Sequence, residues 1–396
     1  MKINKWTLGL ASLGLVSLVT EARAQTNALM TTVSATTISG YVDTSAVWNP
    51  GTGNANPAPY AFNAGKQDGF NVDSVDIRLQ KALEEGQWAA GYVAELMYGP
   101  DSIATTGDVA IRQAYVEFRA PLGNGLDFQM GRWDNLIGYE SNDSYKNPNW
   151  TRSYGYSLEP TEHTGLLTTY KFCDAVTAQV GVVDTVTTVG INGRSTGAAV
   201  NGEPEGEKGF VSLLSLTAPT NWGFVSGSSG YIGFDWGQGP AGGAPRRDHF
   251  YIGGTLNTPL KDLTVGGAFD YVTHEDLGGF DTGHAYALGG YLSYKLTDKL
   301  TLNGRIEFAE GRYFAASGLA NVGVFPAGPS ASEEQIFALT GTVQYQLWDN
   351  VISRLEFRWD DALDGGYSAT PFGGTVSGLG TKRNEVLLAA NIIYKF

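Results

Sequence analysis

The sequence is short of the features on which most protein classes depend. One cysteine, Cys173, stands among 396 residues, so no internal disulfide can form, although an exported chain would be permitted one. Charged side chains make up only 17%, with 40 acidic residues against 26 basic ones. That balance disfavours nucleic acid as a partner. Outside the N-terminal leader no apolar run approaches the roughly twenty residues that a membrane helix requires. Histidine is scarce as well. His163, His249, His274 and His284 include no pair at the i, i+4 spacing of a zinc helix, and no G-x-S-x-G is present. The stretch "HED" at 274–276 is the one hint of metal or hydrolase chemistry, and no cofactor fingerprint accompanies it.

What is present begins with the leader. "MKINKW" gives a positive start, "TLGLASLGLVSLV" an apolar stretch and "ARA" a small-residue site before Gln25. Residues 1–24 are expected to be a cleaved signal peptide; a retained anchor is the alternative, and the apolar stretch is short for one. Removing a leader with Lys2, Lys5 and Arg23 against Glu21 would take the net charge from −14 to about −16. A short segment, 25–36, then precedes a region rich in Gly, Tyr and Phe, counted at 53, 20 and 18. Short alternating runs of Gly, Tyr, Thr and Val indicate an all-β protein.

The spacing predicts sixteen strands: 37–48, 70–81, 87–98, 108–119, 126–134, 162–172, 175–187, 208–218, 222–236, 246–258, 262–273, 284–296, 299–313, 334–347, 350–361 and 382–396. The gaps alternate in length. "EEG", "PLGNG", "CDA", "PTN", "PLKD", "TDK" and "WDN" are hairpin-sized, whereas "NPGTGNANPAPYAFNAGKQDG" and "GINGRSTGAAVNGEPEGE" are long. A soluble sandwich gives no reason for that segregation. A transmembrane antiparallel β-barrel over residues 37–396 does, with short periplasmic turns on one rim and long loops on the other.

The strand faces agree. In "VDIRLQ", Val75, Ile77 and Leu79 oppose Asp76, Arg78 and Gln80; in "SRLEFRWD", Leu355, Phe357 and Trp359 oppose Arg354, Glu356, Arg358 and Asp360. Trp48, Trp133, Trp236 and Trp359 fall near the long loops, and Trp88, Trp222, Trp348, Tyr394 and Phe396 near the short turns or the terminus. Two aromatic belts are what outer-membrane barrels place at their interfaces. In "NEVLLAANIIYKF", Ala390, Ile392, Tyr394 and Phe396 are expected to face lipid, and Asn391 and Lys395 the lumen.

The stretches "TTISGYVDTSAVWNPG", "GKQDGFNVDSVDIRLQKALEEGQWAAGY", "RQAYVEFRAPLGNGLDFQMGRWDNLIGYES" and "HTGLLTTYKF" resemble the OmpL-like β-barrel porins, most closely over residues 37–187 and at the C-terminus. The resemblance implies a passive outer-membrane channel for small solutes, trimeric as sixteen-stranded porins are. It also implies recognition of the final strand by the barrel-assembly machinery of a Gram-negative cell, in a membrane of lipid and lipopolysaccharide.

Candidate pore residues follow from strand parity, since residues two apart share a face. Asp76 with Arg78, Glu117 with Arg119, Arg305 with Glu307, and Arg354, Glu356 and Arg358 form mixed rows on the expected lumen side. These rows suit a transverse field across a pore; the same pairing would serve to keep a wide barrel open. Arg132 stays open, because alternation points it outward and a bulge at Gly131 would turn it inward. Residues 135–161 form the third long connection, which in sixteen-stranded porins commonly folds into the lumen. It carries Tyr139, Glu140, Asp143, Tyr145, Lys146, Trp150, Arg152, Tyr154 and Tyr156, a mixture suited to a constriction, or to a cover packed over the mouth. A substrate-selective sugar or anion porin, a closed adhesin or anchor, and an outer-membrane enzyme are the competing functions. Sixteen strands favour a water-filled interior, whereas about eight would fill with side chains.

Overall fold

A computed structural model describes residues 36–51, 68–86, 88–101, 109–186, 208–238, 246–274, 283–311, 334–363, 371–374 and 380–396. The expected signal peptide, 1–24, lies outside them, as does nearly all of segment 25–36. The strands are β1 (Thr37–Trp48), β2 (Gly69–Lys81), β3 (Ala90–Tyr98), β4 (Val109–Ala120), β5 (Leu126–Asp134), β6 (Glu162–Cys173), β7 (Val176–Val183) and β8 (Gly209–Thr217). They continue as β9 (Ser229–Gln238), β10 (Arg246–Asn257), β11 (Leu263–His274), β12 (Gly283–Lys295), β13 (Leu300–Gly311), β14 (Glu334–Trp348), β15 (Val351–Ala362) and β16 (Asn384–Lys395). One short helix, α1 (Tyr154–Leu158), sits between β5 and β6.

Each strand pairs antiparallel with its sequence neighbours, and β1 closes on β16 to complete the barrel. Closure satisfies every strand's backbone groups within the sheet, which is what lets strands cross hydrocarbon. A strand of 12 residues such as β1, rising about 3.4 Å per residue and tilted about 40°, climbs about 30 Å.

Side-chain exposure follows parity. On β15, Leu355 and Phe357 are 64% and 47% exposed, while Arg354 and Arg358, which flank them, are 2% and 0%. The apolar exposed set is the membrane wall, and the buried charged set points inward. On β16, Ile392 and Tyr394 face out, as does Phe396 just beyond it, whereas Asn391 and the apolar Leu387, Ala389 and Ile393 face in.

The seam is secured at the terminus. Gly40 and Phe396 exchange both backbone hydrogen bonds, at 3.1 and 3.0 Å. Gly40 has no room for a larger residue, because a Cβ there would lie 2.1 Å from the Asp76 carbonyl oxygen and 2.7 Å from the Phe396 ring.

Two sequence expectations are corrected. Residues 222–228 do not begin the ninth strand: Gly223–Val225 form a 3-10 turn, Gly223 and Gly227 have positive φ, and β8 pairs with β9 only from Ser229. Trp222 and Phe224 are exposed in this turn, so they alternate like strand residues without belonging to one. Trp133 leaves the membrane belt. It is 2% exposed and packs inward with Leu167, Val183, Val186 and Val211.

Two bulges matter to the interior. Register shifts leave Asp73 of β2 and Arg112 of β4 without a cross-strand mate on β1 and β3 respectively. Each extra residue breaks the local alternation. Both are buried and bonded to lumen-side groups.

Candidate functional site

The connection from β5 to β6, residues 135–161, runs inside the barrel. Its first limb contains a 3-10 turn, Ser144–Lys146, and its second contains α1, capped by Ser153, whose side chain accepts from the Tyr156 amide. Ser at the cap supplies the acceptor that the first helical amides lack.

The loop is held by the inward faces of strands far apart in sequence. On β15, the Glu356 carboxylate accepts from the backbone amides of Trp150 (2.6 Å) and Thr151 (2.9 Å), and from the Thr342 hydroxyl of β14 (2.6 Å). Arg354 donates to the carbonyls of Ser144 (3.1 Å) and Asn147 (2.7 Å), and Arg358 to that of Arg152 (2.6 Å). Arg358 also pairs with Asp360 at 2.8 Å, and Asp360 accepts from the Tyr154 hydroxyl at 2.9 Å. On β13, Arg305 binds Glu140 (2.7 Å), Glu307 (2.6 Å) and the Thr151 carbonyl (2.7 Å), while Glu307 accepts from the Tyr154 amide (2.7 Å).

Other parts of the wall are engaged too. Arg112 binds Glu95 (2.6 Å), Asp134 (2.6 Å) and, through a short contact, Asp143. Ser144 donates to Asp43 of β1, and the Trp150 indole donates to Asp73 at 3.1 Å. Arg247 of β10 donates to the Leu158 carbonyl, and Tyr139 stacks on Tyr291 of β12 with centroids 3.8 Å apart. Apolar contacts fill the remainder: Trp150 against Val47, Leu387 and Ala389, and Ile137 against Leu213, Tyr251, Ala268 and Tyr291.

The sequence-derived candidates divide into two groups. Arg305, Glu307, Arg354, Glu356 and Arg358 are covered by the loop and bonded to it; within the loop, Glu140 pairs with Arg305, and Asp143 with Arg112 of β4. Arg152 is buried inside the loop, where it donates to the carbonyls of Trp150 and Asn142 and lies 5.5 Å from the Tyr156 ring centroid. A more open group lies toward the short-turn rim: Arg78 bonded to Glu95 (3.1 Å), Arg119 bonded to Asp127 (2.6 Å), and the half-buried Glu117. Asp76 is buried, 4.0 Å from Arg112. Lys146 is the loop cation most open to water, 47% exposed and 2.6 Å from Asp143. Burial raises the Asp143 carboxyl, but Arg112 and Lys146 outweigh it and hold the group at about 2. This tie is therefore lost only when the pH falls below the ordinary carboxylate range toward that value.

Arg132 is not turned by a bulge. Gly131 keeps the ladder in register with Tyr115 and Gly165, and Arg132 is buried against Glu162 (3.3 Å) and the Arg112 carbonyl (3.2 Å). Periodicity missed Arg112, because the even positions of β4 otherwise carry the outward Ala114, Val116 and Phe118. A lone arginine on an apolar face was the available signal.

Glu356 anchors the loop through the amides of Trp150 and Thr151 and the Thr151 hydroxyl. Charge-assisted hydrogen bonds contribute about 1.5–3 kcal/mol each, so Glu356→Ala should weaken the loop's attachment by about 3 kcal/mol or more. The expected result is higher, noisier single-channel conductance from a barrel that still folds; planar-bilayer recording with a heat-modifiability gel checks both.

Sixteen closed antiparallel strands, an apolar outer wall and an inward loop define the class, an outer-membrane β-barrel of porin architecture. The profile of the family described as Putative beta-barrel porin-2, OmpL-like, matches residues 35–396, and the chain belongs to that family. No curated protein matches the sequence. Among solved structures, the anion-selective porin of Comamonas acidovorans is 14% identical, with 91% of this chain and 99% of that chain covered at a TM-score of 0.58. Salmonella typhi OmpF, in complex with daunomycin, is 12% identical, with 91% and 97% covered at 0.57. The trimer form of Vibrio cholerae OmpT is 11% identical, with 91% and 99% covered at 0.56. At such identities the likeness is one of fold.

Proposed function

We propose that the protein is a porin through which small hydrophilic solutes and ions diffuse passively, with residues 135–161 as its constriction and no catalytic role. The observation that carries this reading is the loop's attachment across the lumen, from β4 through β10 to β13 and β15, by buried ion pairs and backbone bonds. Sixteen strands enclose more space than their own side chains fill, so a loop of this length sets the free cross-section. Stepwise conductance of the purified, refolded protein in a planar bilayer is the test. A folded barrel that passes no current would favour an anchor or adhesin instead.

Selectivity should be weak. The lumen charges alternate in sign along strands and are paired across them, as in Arg78 with Glu95 and Arg119 with Asp127. Alternating charges cancel over about a Debye length, roughly 8 Å at physiological salt. The acidic net balance of −14 leaves a slight preference for cations. A reversal potential in a salt gradient measures this, and strong anion preference would overturn it. The trimer form of Vibrio cholerae OmpT supports a homotrimer here, which crosslinking in native membranes would detect.

A further inference from the structure

Beneath the loop's second limb lies a set of titratable groups separate from the β13 and β15 anchors. Helix α1 presses Gly155 onto Asp270 of β11, so closely that a Cβ at 155 would come within 2.6 Å of the Asp270 Oδ2. The other oxygen, Oδ1, is 2.9 Å from His249 Nε2 of β10. Directly across the ladder from His249 stands Asp235 of β9, fully buried, with no hydrogen-bond partner for either carboxylate oxygen among the described residues. Its Oδ2 is 3.6 Å from His163 Nε2 of β6.

Glu159 follows α1 and turns its carboxyl against Gly138, whose positive φ and missing Cβ make the space. With Asp270 and Glu307 it lines a small cavity of about 10 Å³ that also touches Tyr139 and Tyr291. Such a space holds one water at most, so no hydrated cation can sit between the carboxyls. The groups that face Glu159 are Asp270 from β11, Asp235 from β9, Tyr251 from β10, Glu307 from β13 and Glu140 from the loop's first limb. Glu140 is already engaged by Arg305, and Arg247, the cation of this quarter, donates to the Leu158 carbonyl.

We propose that Glu159, Asp270 and His249 form an acid-set latch: protonation keeps α1 seated on β11, and loss of the proton drives the limb away from the wall, so that pH gates the passage. Burial first, then Asp270, Glu140 and Asp235, push the Glu159 carboxyl well above its ordinary range. The seated limb therefore binds a proton that the lifted limb releases, and seating weakens as the pH rises through that raised value.

The latch rests on the channel reading, so two independent readouts are needed. Bilayer conductance of the wild type should rise severalfold from about pH 5 to about pH 9, above the ordinary carboxylate range. Glu159→Gln should stay low on the alkaline side, and Asp270→Asn should flatten the response as a second variant, each with folding checked by heat-modifiable migration. Hydrogen exchange of the backbone amides of residues 153–160, compared at the same alkaline pH, should be faster in the wild type than in Glu159→Gln. Equal exchange, or an unchanged pH response in both variants, overturns the latch. An exchange difference without any conductance overturns the channel and leaves the latch standing.

Discussion

Replacing residues 135–161 with a short Gly-Ser link is expected to raise single-channel conductance severalfold and admit larger sugars, while the barrel still folds. The wall's backbone bonds run between strands, so the sixteen ladders remain when the loop is gone. Deletion strips partners from Arg112, Arg305, Arg354, Arg358 and Glu356. A charge left unpaired in a dry interior costs about 3–5 kcal/mol, but here water enters the space the loop vacates and hydrates each one. A graded version keeps the loop and trims it. Trp150→Ala removes a side chain that is 1% exposed and packed against Val47, Leu387 and Ala389, which should cost the loop's seating about 3–5 kcal/mol. Tyr145→Ala, at a half-buried site beside Lys395, should widen the passage with little effect on seating. Planar-bilayer recording and liposome swelling with sugars of increasing size report the outcome. Conductance and exclusion that stay at the wild-type level would make the loop an outer cover and leave the wall rows to set selectivity.

Replacing Phe396 with Asp should cut the amount of assembled barrel in the outer membrane severalfold. Its backbone makes the last pair of bonds across the seam, and its ring covers Gly40. Near a membrane interface a charge on the lipid face costs only about 0–1 kcal/mol, so a small drop in stability alone would not deplete the protein. A large loss of assembled material with normal stability of the remainder would point to failed handling of the last strand during insertion. Quantitative blotting of heat-modifiable barrel in membrane fractions distinguishes these, and unchanged levels would remove Phe396 from assembly.

The barrel was legible because a period of two is written into nearly every strand. Leu355, Phe357 and Trp359 alternate with Arg354, Glu356 and Arg358, and the two sets lie on opposite sides of the wall. Where the reading failed, the local pattern carried no information about pairing. Trp222 and Phe224 alternate like a strand, but positive-φ glycines at 223 and 227 hold a turn there. Asp73 and Arg112 were hidden for the converse reason, since a bulge changes parity, and only the lone arginine on an apolar face marks one of the two. The loop's partners were beyond reach as well. Thr151 meets Glu356 across 205 positions and Asn303 meets Pro148 across 155, and no periodicity relates such residues. Strand parity picks out the side chains that point inward, and the fold decides which loop atoms they hold.

The same attachments have a mechanical consequence. The loop is fixed to β4 through Arg112, to β10 through Arg247 and to β13 and β15 through Arg305 and Glu356, points distributed around the ring of sixteen strands. A hollow cylinder of strands one layer thick is easily squeezed to an oval by lateral pressure from the bilayer. A tie that spans the bore and is fastened on several sides resists that flattening as spokes keep a rim round. Stiffness of the cross-section is thus lodged in the segment proposed to narrow it.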